Sequence, residues 1–247
     1  MARPILLNAR AAARPELGGV ERWAREMVAR LPAIEPGRYA VARPPAALVH
    51  RAGHAWEQVA LPGLAAARRA PLLFSPANLA PLAWPRNVVV IHDAAALRHP
   101  EYYAAPYVAW QRAVLPRIAR RAVHLITVSE FSRAEIVELL GADPAQITVI
   151  AGGVDERFTP AADPESARLA LKLDRPYVLT VASRIARKNL AALEPAAKRL
   201  AAEGIELVAA GGGRPQLREE GAVNGVRALG LVPDELLPGL YAGARAF

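Results

Sequence analysis

Lys188 follows the apolar run Tyr177–Ala182 and opens the next helical pattern, so an ammonium group and a helix N-terminus would be presented together. That pairing suits a phosphate, because aligned backbone N–H groups and a fixed cation both attract an anion. Arg187 stands beside it and can share the role. The same two residues also fit an ordinary solvated first turn. Gly18 and Gly19 precede the first helical pattern, where a missing side chain lets a diphosphate or sugar approach the backbone. A plain glycine turn before a helix has the same look. Gly211-Gly212-Gly213 closes the run Glu206–Ala210. No acidic residue ends a following strand, so it reads as a tight strand exit rather than a dinucleotide loop. The absence of G-x-G-x-x-G argues against a dinucleotide dehydrogenase.

His92 ends the apolar run Val88–His92, at the carboxyl edge where open α/β sheets bind ligands, and Asp93 follows it. A histidine satisfied by backbone contacts is the alternative. His50, His54 and His124 show no metal-ligand pattern, and no close Asp-x-Asp pair is present to hold a divalent cation between phosphates. These residues show no pattern that calls for a metal or a cofactor.

These residues need strands and helices to carry them. Candidate strands are Pro4–Asn8, Tyr39–Ala42, Leu72–Ser75, Val88–His92, His124–Ser129, Ile147–Ile150, Tyr177–Ala182, Glu206–Ala210 and Val226–Leu229. Most are rich in Val, Ile and Leu on both faces, as buried parallel strands are. Val20, Trp23, Met27 and Leu31 trace one apolar helix face, and Tyr107, Trp110, Val114, Leu115 and Ile118 another, in which Pro116 should kink the helix. Ser132 to Leu140 reads as a helix ended by Gly141. The alternation means an α/β fold with doubly wound sheets. The text from Phe158 to Pro176 is rich in proline and charge and has no strand. The expected division is a domain at 1–160, a linker at 161–175, and a partial second domain at 176–247.

Hydrophobic residues make up 53% of the 247 residues and charged ones 22%, enough for a sizeable core. There is no cysteine, which suits a reducing compartment, and neither a secretory leader nor an apolar run of about 18 to 20 residues is visible. A cytoplasmic location follows as the expectation. Lys and Arg number 31 against 23 Asp and Glu, a net charge of +8 that invites polyanions. The arginines are scattered, which fits a general compositional bias, and no aromatics interleave with a basic cluster, so nucleic acid is not expected. Sugar diphosphates and anionic lipid headgroups remain as partners, the latter through peripheral contact at the inner face of the membrane.

HLITVSEFSRAEIVELLGADPAQITVIAGGVDERFTP resembles the end of the first domain in glycosyltransferase family 4, where a strand ending in V-S, a helix, a D-P turn and a strand lead to N-G-V-D. Ser129, Asp143, Pro144, Gly153, Val154 and Asp155 match, while Gly152 replaces the usual Asn. VVVIHDAAALRHPEYY is similar to the H-D-x-x-x-L-R-H-P-E stretch of the mannosyltransferase-like branch. YVLTVASRIARKNL is similar to its strand followed by R-K-N, and VRALGLVPDELLPGLYAGARAF resembles its next strand and helix.

The resemblance implies a GT-B architecture of two Rossmann-like domains, with acceptor bound by the first and nucleotide-sugar by the second. It implies metal-free transfer of a hexose, mannose first, with retention of configuration. The acceptor would be a saccharide or lipid-linked, in envelope polysaccharide synthesis. It places His92 beside acceptor and transferred sugar, and Asp93 and His99 on the acceptor side. Gly18, Gly19, Arg187, Lys188 and Gly211 would face the donor. Ser183 stands where many relatives carry arginine; its hydroxyl can still donate to phosphate but adds no charge. Two family glutamates eight positions apart would lie beyond Phe247, since Glu194 and Glu219-Glu220 stand in the wrong context. The chain is therefore expected to be incomplete and inactive alone. The rivals are a non-catalytic binding remnant of the same fold and another Rossmann enzyme such as a sugar-nucleotide epimerase. The latter would require a glycine-rich turn directly after the first strand, and Asn8–Pro15 has none.

Overall fold

The computed structural model describes residues 3–15, 18–49, 52–212 and 221–247. His50, Gly213, Glu219 and Glu220 lie outside the described residues. The chain forms two compact units, one of Met1–Arg98 with Val108–Gly152, the other of His99–Tyr107 with Gly153–Phe247.

The first unit is built on a six-stranded parallel sheet. Its strands are β1 (Ile5–Asn8), β2 (Tyr39–Ala42), β3 (Leu73–Ser75), β4 (Asn87–Val90), β5 (His124–Thr127) and β6 (Ile147–Val149), in the order β2-β1-β3-β4-β5-β6. The chain steps outward from β1 to β2, then crosses to β3 on the other side, so the order reverses between β1 and β3. Val89, Val90 and Ile91 have no exposed surface, the mark of a strand covered on both faces. One cover is α5 (Ala105–Arg121) with α6 (Glu130–Leu140), which close Val114, Leu115, Ile118, Ile136 and Leu140 over Val89, Leu125 and Ile147. On further clusters, α1 (Gly19–Ile34) contributes Ala24 and Val28, and the segment α2 (Gly53–Ala55), a π-helical turn (Trp56–Ala60) and α3 (Leu61–Ala67) contributes Trp56 and Leu61. The short α4 (Ala95–Arg98) follows β4.

Local chemistry sets these boundaries. Ser129 caps α6 by accepting a 3.1 Å bond from Ser132 N–H, and Gly141 ends it at φ +66°, a left-handed conformation cheap only for glycine. α5 runs through Pro116 without leaving the helix. Buried Val114, Leu115 and Ile118 hold it there despite the lost hydrogen bond.

The second unit carries α7 (Pro164–Leu171), β7 (Tyr177–Val181), α8 (Glu194–Ala202), β8 (Glu206–Ala210), β9 (Val226–Gly230) and α9 (Leu237–Ala242). β7, β8 and β9 form a parallel three-stranded sheet, and Ala246 bridges Val178 on the free side of β7. Tyr177 is buried and donates its hydroxyl to the Leu240 carbonyl at 2.7 Å; burial raises its pKa. Residues 161–175, expected as linker, hold α7, capped by Asp163. Ala167 and Leu173 from this segment are buried in the second unit's core. Of the prolines that looked like linker, Pro164 stands in the first turn of a helix, where a missing N–H costs nothing.

The expectation that Lys188 opens the next helix does not hold. A short 3-10 turn (Ala186–Lys188) ends at Asn189, which has φ +50°, and α8 starts only at Glu194. No helix among the described residues is long and apolar enough to cross a membrane.

Candidate functional site

In the first unit, polar groups gather at the carboxyl ends of the central strands. His92 lies two residues past β4 and is buried. Its backbone N–H donates to Asn78 Oδ1 at 2.8 Å, and its Nε2 lies 3.2 Å from the Pro76 carbonyl. A carbonyl only accepts, so Nε2 carries the proton and Nδ1 keeps its lone pair as an acceptor. Burial lowers the His92 pKa, against the opposing pull of the Pro76 bond, Asp93 and Glu21. The ring is therefore neutral near neutral pH. Trp23 packs against it edge-on, with ring centroids 5.5 Å apart.

The first turn of α1 comes to the same edge, since Trp23 and Glu21 both act on His92. Gly18 is extended at the N-cap, and Glu21 Oε2 accepts its N–H at 3.0 Å, half of a capping box. A side chain at Gly19 would meet nothing within 4 Å, so nothing inside the unit demands glycine there. Asp93 is exposed and its Oδ1 accepts the Ala95 N–H at 3.1 Å, starting α4. His99 falls in the second unit, where its Nδ1 sits 3.3 Å from Glu101 Oε1.

A second cluster, not anticipated from sequence, occupies the point where strand order reverses. Asn8 at the end of β1 donates to Glu57 Oε1 at 2.6 Å and to Ser75 Oγ, at the end of β3, at 3.3 Å. Arg10 Nε stands 3.0 Å from Glu57 Oε1, within ion-pair range though not aimed for a hydrogen bond. Glu57 is 1% exposed. Burial alone would raise its pKa; Arg10, His54 and Asn8 together hold it below the ordinary carboxylate value. It sits in the π-helical turn, a distortion that often accompanies functional sites. An amphipathic pattern could not show that this glutamate faces inward. The polar end of Ile5–Asn8 was its one sequence signal.

In the second unit, Ser183 and Gly211 come together at the carboxyl ends of β7 and β8. Gly211 has φ +147°, and a side chain there would run into the Ala182 carbonyl and stand 2.9 Å from Ser183 N. Glycine is thus required for the two strand exits to pass. Arg187 and Lys188 follow in the exposed turn after β7.

Two parallel α/β units with polar groups at their strands' carboxyl ends define the architecture, and comparison with solved structures identifies it as the GT-B fold. HepE of Anabaena, solved with UDP and glucose, superposes with a TM-score of 0.65 at 16% identity, over 98% of this chain and 73% of that one. WaaG, a glycosyltransferase involved in lipopolysaccharide biosynthesis, gives 0.62 at 13% identity, over 97% and 73%. Residues 17–158 match the family described as Glycosyltransferase Family 4, and the chain belongs to that family. It is 31% identical over 175 residues to the O-antigen chain mannosyltransferase B of Escherichia coli, a match covering 66% of this chain and 46% of the relative. The match thus spans under half the length of that relative.

Proposed function

We propose that this protein acts as a retaining hexosyltransferase, moving mannose in the first instance from a nucleoside-diphosphate sugar to a saccharide or lipid-linked acceptor of the cell envelope. The observation that carries this reading is His92, buried just past the carboxyl end of β4 with Nε2 3.2 Å from the Pro76 carbonyl, an arrangement that leaves Nδ1 as an acceptor. Such a group accepts a hydrogen bond from a sugar hydroxyl without adding charge. Family membership and the mannosyltransferase relative support the choice of reaction and sugar.

The chemical demand is stabilisation of a leaving diphosphate. We assign it to the cations of Arg187 and Lys188, the Ser183 hydroxyl and the backbone at Gly211, with backbone approach at Gly18 and Gly19. No metal is needed in this scheme. Asp93 and His99 are assigned to the acceptor side. The location is the cytoplasm or its membrane surface, and nucleic acid is no partner.

The test is calorimetric titration of the chain with nucleoside-diphosphate hexoses differing in base and sugar, repeated with Lys188→Ala. The reading expects binding of a subset of donors, weakened in the variant. Failure of every donor to bind would overturn it, as would equal affinity in the variant.

A further inference from the structure

We propose that Arg10 is a specificity-determining residue for the acceptor. Its guanidinium, set in place by buried Glu57, offers a two-pronged donor to a pair of neighbouring hydroxyls on an uncharged sugar. The proposal rests on the reading that the first unit receives a saccharide acceptor, and it names the group that selects it.

Arg10 follows β1 by two residues, at the strand's carboxyl edge, and its side chain is 7% exposed. Asn8, Arg10 and Glu57 meet at one atom. Glu57 Oε1 accepts from Asn8 at 2.6 Å and stands 3.0 Å from Arg10 Nε, while Asn8 also donates to Ser75 at the end of β3. The guanidinium therefore stands over the gap between β1 and β3, where strand order reverses and where open α/β sheets take their ligands. Its stem is confined as well. A side chain at Gly53 would come within 3.6 Å of Arg10 Cγ and 3.3 Å of the Leu48 carbonyl. The backbone around it closes into a turn in which Ala13 N–H donates to the Ala9 carbonyl and Arg25 Nε to the Ala12 carbonyl.

Two features set this cluster apart from a pair that only holds the fold. Buried polar atoms of a structural network are nearly always satisfied, yet Glu57 Oε2 and Arg10 Nε are both buried without a hydrogen bond. His54 Nδ1 stands 3.8 Å from Oε2, beyond bonding range. The two Nη groups of Arg10 differ from Nε. They reach the surface, and nothing among the described residues accepts from them.

Charge balance selects the ligand. Burial opposes ionisation of Glu57, but Arg10, His54 and Asn8 outweigh it, so guanidinium and carboxylate compensate each other. A phosphate brought to the Nη groups would meet a pair without net charge, with the Glu57 carboxylate just behind. Sugar hydroxyls ask for no net charge. A guanidinium fork directs two parallel N–H groups at two oxygens side by side, which neighbouring ring hydroxyls supply. A lysine at the same place carries one compact charge and cannot reproduce the fork.

The experiment is saturation-transfer NMR titration of the chain with the methyl glycosides of mannose, glucose, galactose and N-acetylglucosamine, and with the 6-phosphates of mannose and glucose. The parent, Arg10→Lys and Glu57→Gln are compared after melting curves confirm folding; the double variant R10Q/E57Q, an uncharged pair, replaces either one that does not fold. The proposal expects the parent to bind at least one glycoside more tightly than either phosphate, with a loss of roughly tenfold or more in Arg10→Lys or the double variant. Monodeoxy forms of that glycoside should bind the parent less well at two adjacent positions, and Arg10→Lys should no longer distinguish those positions. A loosened fold gives no such pattern. Glu57→Gln uncovers the arginine's charge and should shift preference toward the sugar phosphates. Unchanged glycoside binding in Arg10→Lys overturns the proposal, as does a parent that prefers the phosphates or binds no glycoside. An unshifted preference in Glu57→Gln overturns the part given to Glu57. Calorimetry with nucleoside-diphosphate hexoses runs alongside, and a matching loss of donor affinity in Arg10→Lys would assign the fork to the donor instead. Donor binding without Arg10-dependent glycoside binding overturns this proposal alone. Arg10-dependent glycoside binding without donor binding upholds the subsite and refutes the transferase reading.

Discussion

Trp23 meets His92 edge-on, the planes at 89°, so the first helix presses an apolar ring against the one buried imidazole at the sheet's carboxyl edge among the described residues. That contact removes water from His92, and desolvation is the largest cause of its lowered pKa.

The first prediction concerns pH. A histidine whose folded pKa lies below its ordinary 6.5 adds stability that is intact above that value. The stability is lost as pH falls from there through the folded pKa, because the unfolded chain protonates first. Urea denaturation is expected to show the parent losing stability below about pH 6.5 relative to His92→Gln, which has nothing to titrate. Parallel pH profiles for the two proteins would rule out a depressed His92.

Two glycines that look alike in sequence are expected to behave oppositely. Gly211→Ala meets both φ +147° and the Ala182 carbonyl, so it should cost about 1–3 kcal/mol or more in chemical denaturation. Gly19→Ala has open space and a helical position, so folding should change by less than about 1 kcal/mol. If Gly19 faces the donor, its variant should instead weaken nucleotide-sugar binding, which calorimetry reads separately from stability.

Much of this was legible beforehand. Every strand among the described residues falls within or beside one of the apolar runs, because parallel strands buried on both faces leave continuous Val, Ile and Leu. Gly141 marked a helix end correctly, since a left-handed cap strongly favours glycine. Helical starts around Lys188 were not legible: Asn189 adopts a left-handed conformation that R-K-N does not announce. Nor was Glu57, whose burial depends on Asn8 and Arg10, both more than 40 residues distant.

That buried cluster carries the next prediction. Glu57→Ala leaves the Arg10 guanidinium without its charge partner in a dry site, and breaking such a pair typically costs about 3–5 kcal/mol. Glu57→Gln, which keeps the shape and can still accept from Asn8, should lose less. Denaturation midpoints for the two variants would decide it; a cost for alanine under about 1 kcal/mol would show that Arg10 relaxes to solvent.

Lys188 and Arg187 are exposed in a turn, so their removal should leave folding intact and act on the ligand alone. A charge-assisted contact to phosphate is worth about 1.5–3 kcal/mol, hence roughly ten- to a hundredfold in nucleoside-diphosphate affinity for Lys188→Ala. Added chelator should change nothing if the cations replace a metal. Binding abolished by chelator would reassign the diphosphate to a metal ion.

The last prediction locates the protease-sensitive joint. The first unit ends at Gly152, and Ile150 to Val154 lie in no helix or strand, with Val154 82% exposed. Farther along, Phe158 packs edge-on against Tyr241 at 5.8 Å and Arg157 reaches the Asp234 carbonyl at 3.3 Å, tying that stretch to the second unit. α7 is protected more firmly, since Ala167 and Leu173 are buried and a side chain at Gly239 of α9 would collide with the Asp163 carbonyl. Cleavage needs several residues of chain to leave their contacts, so it follows local opening rather than proline content. Brief digestion with a protease that cuts after small aliphatic residues is expected to nick between Ile150 and Val154 before any cut within Pro164–Leu171. Mass spectrometry of the first fragments reads the site directly. Early cuts inside α7 would mean that its packing on α9 opens more readily than the bare joint.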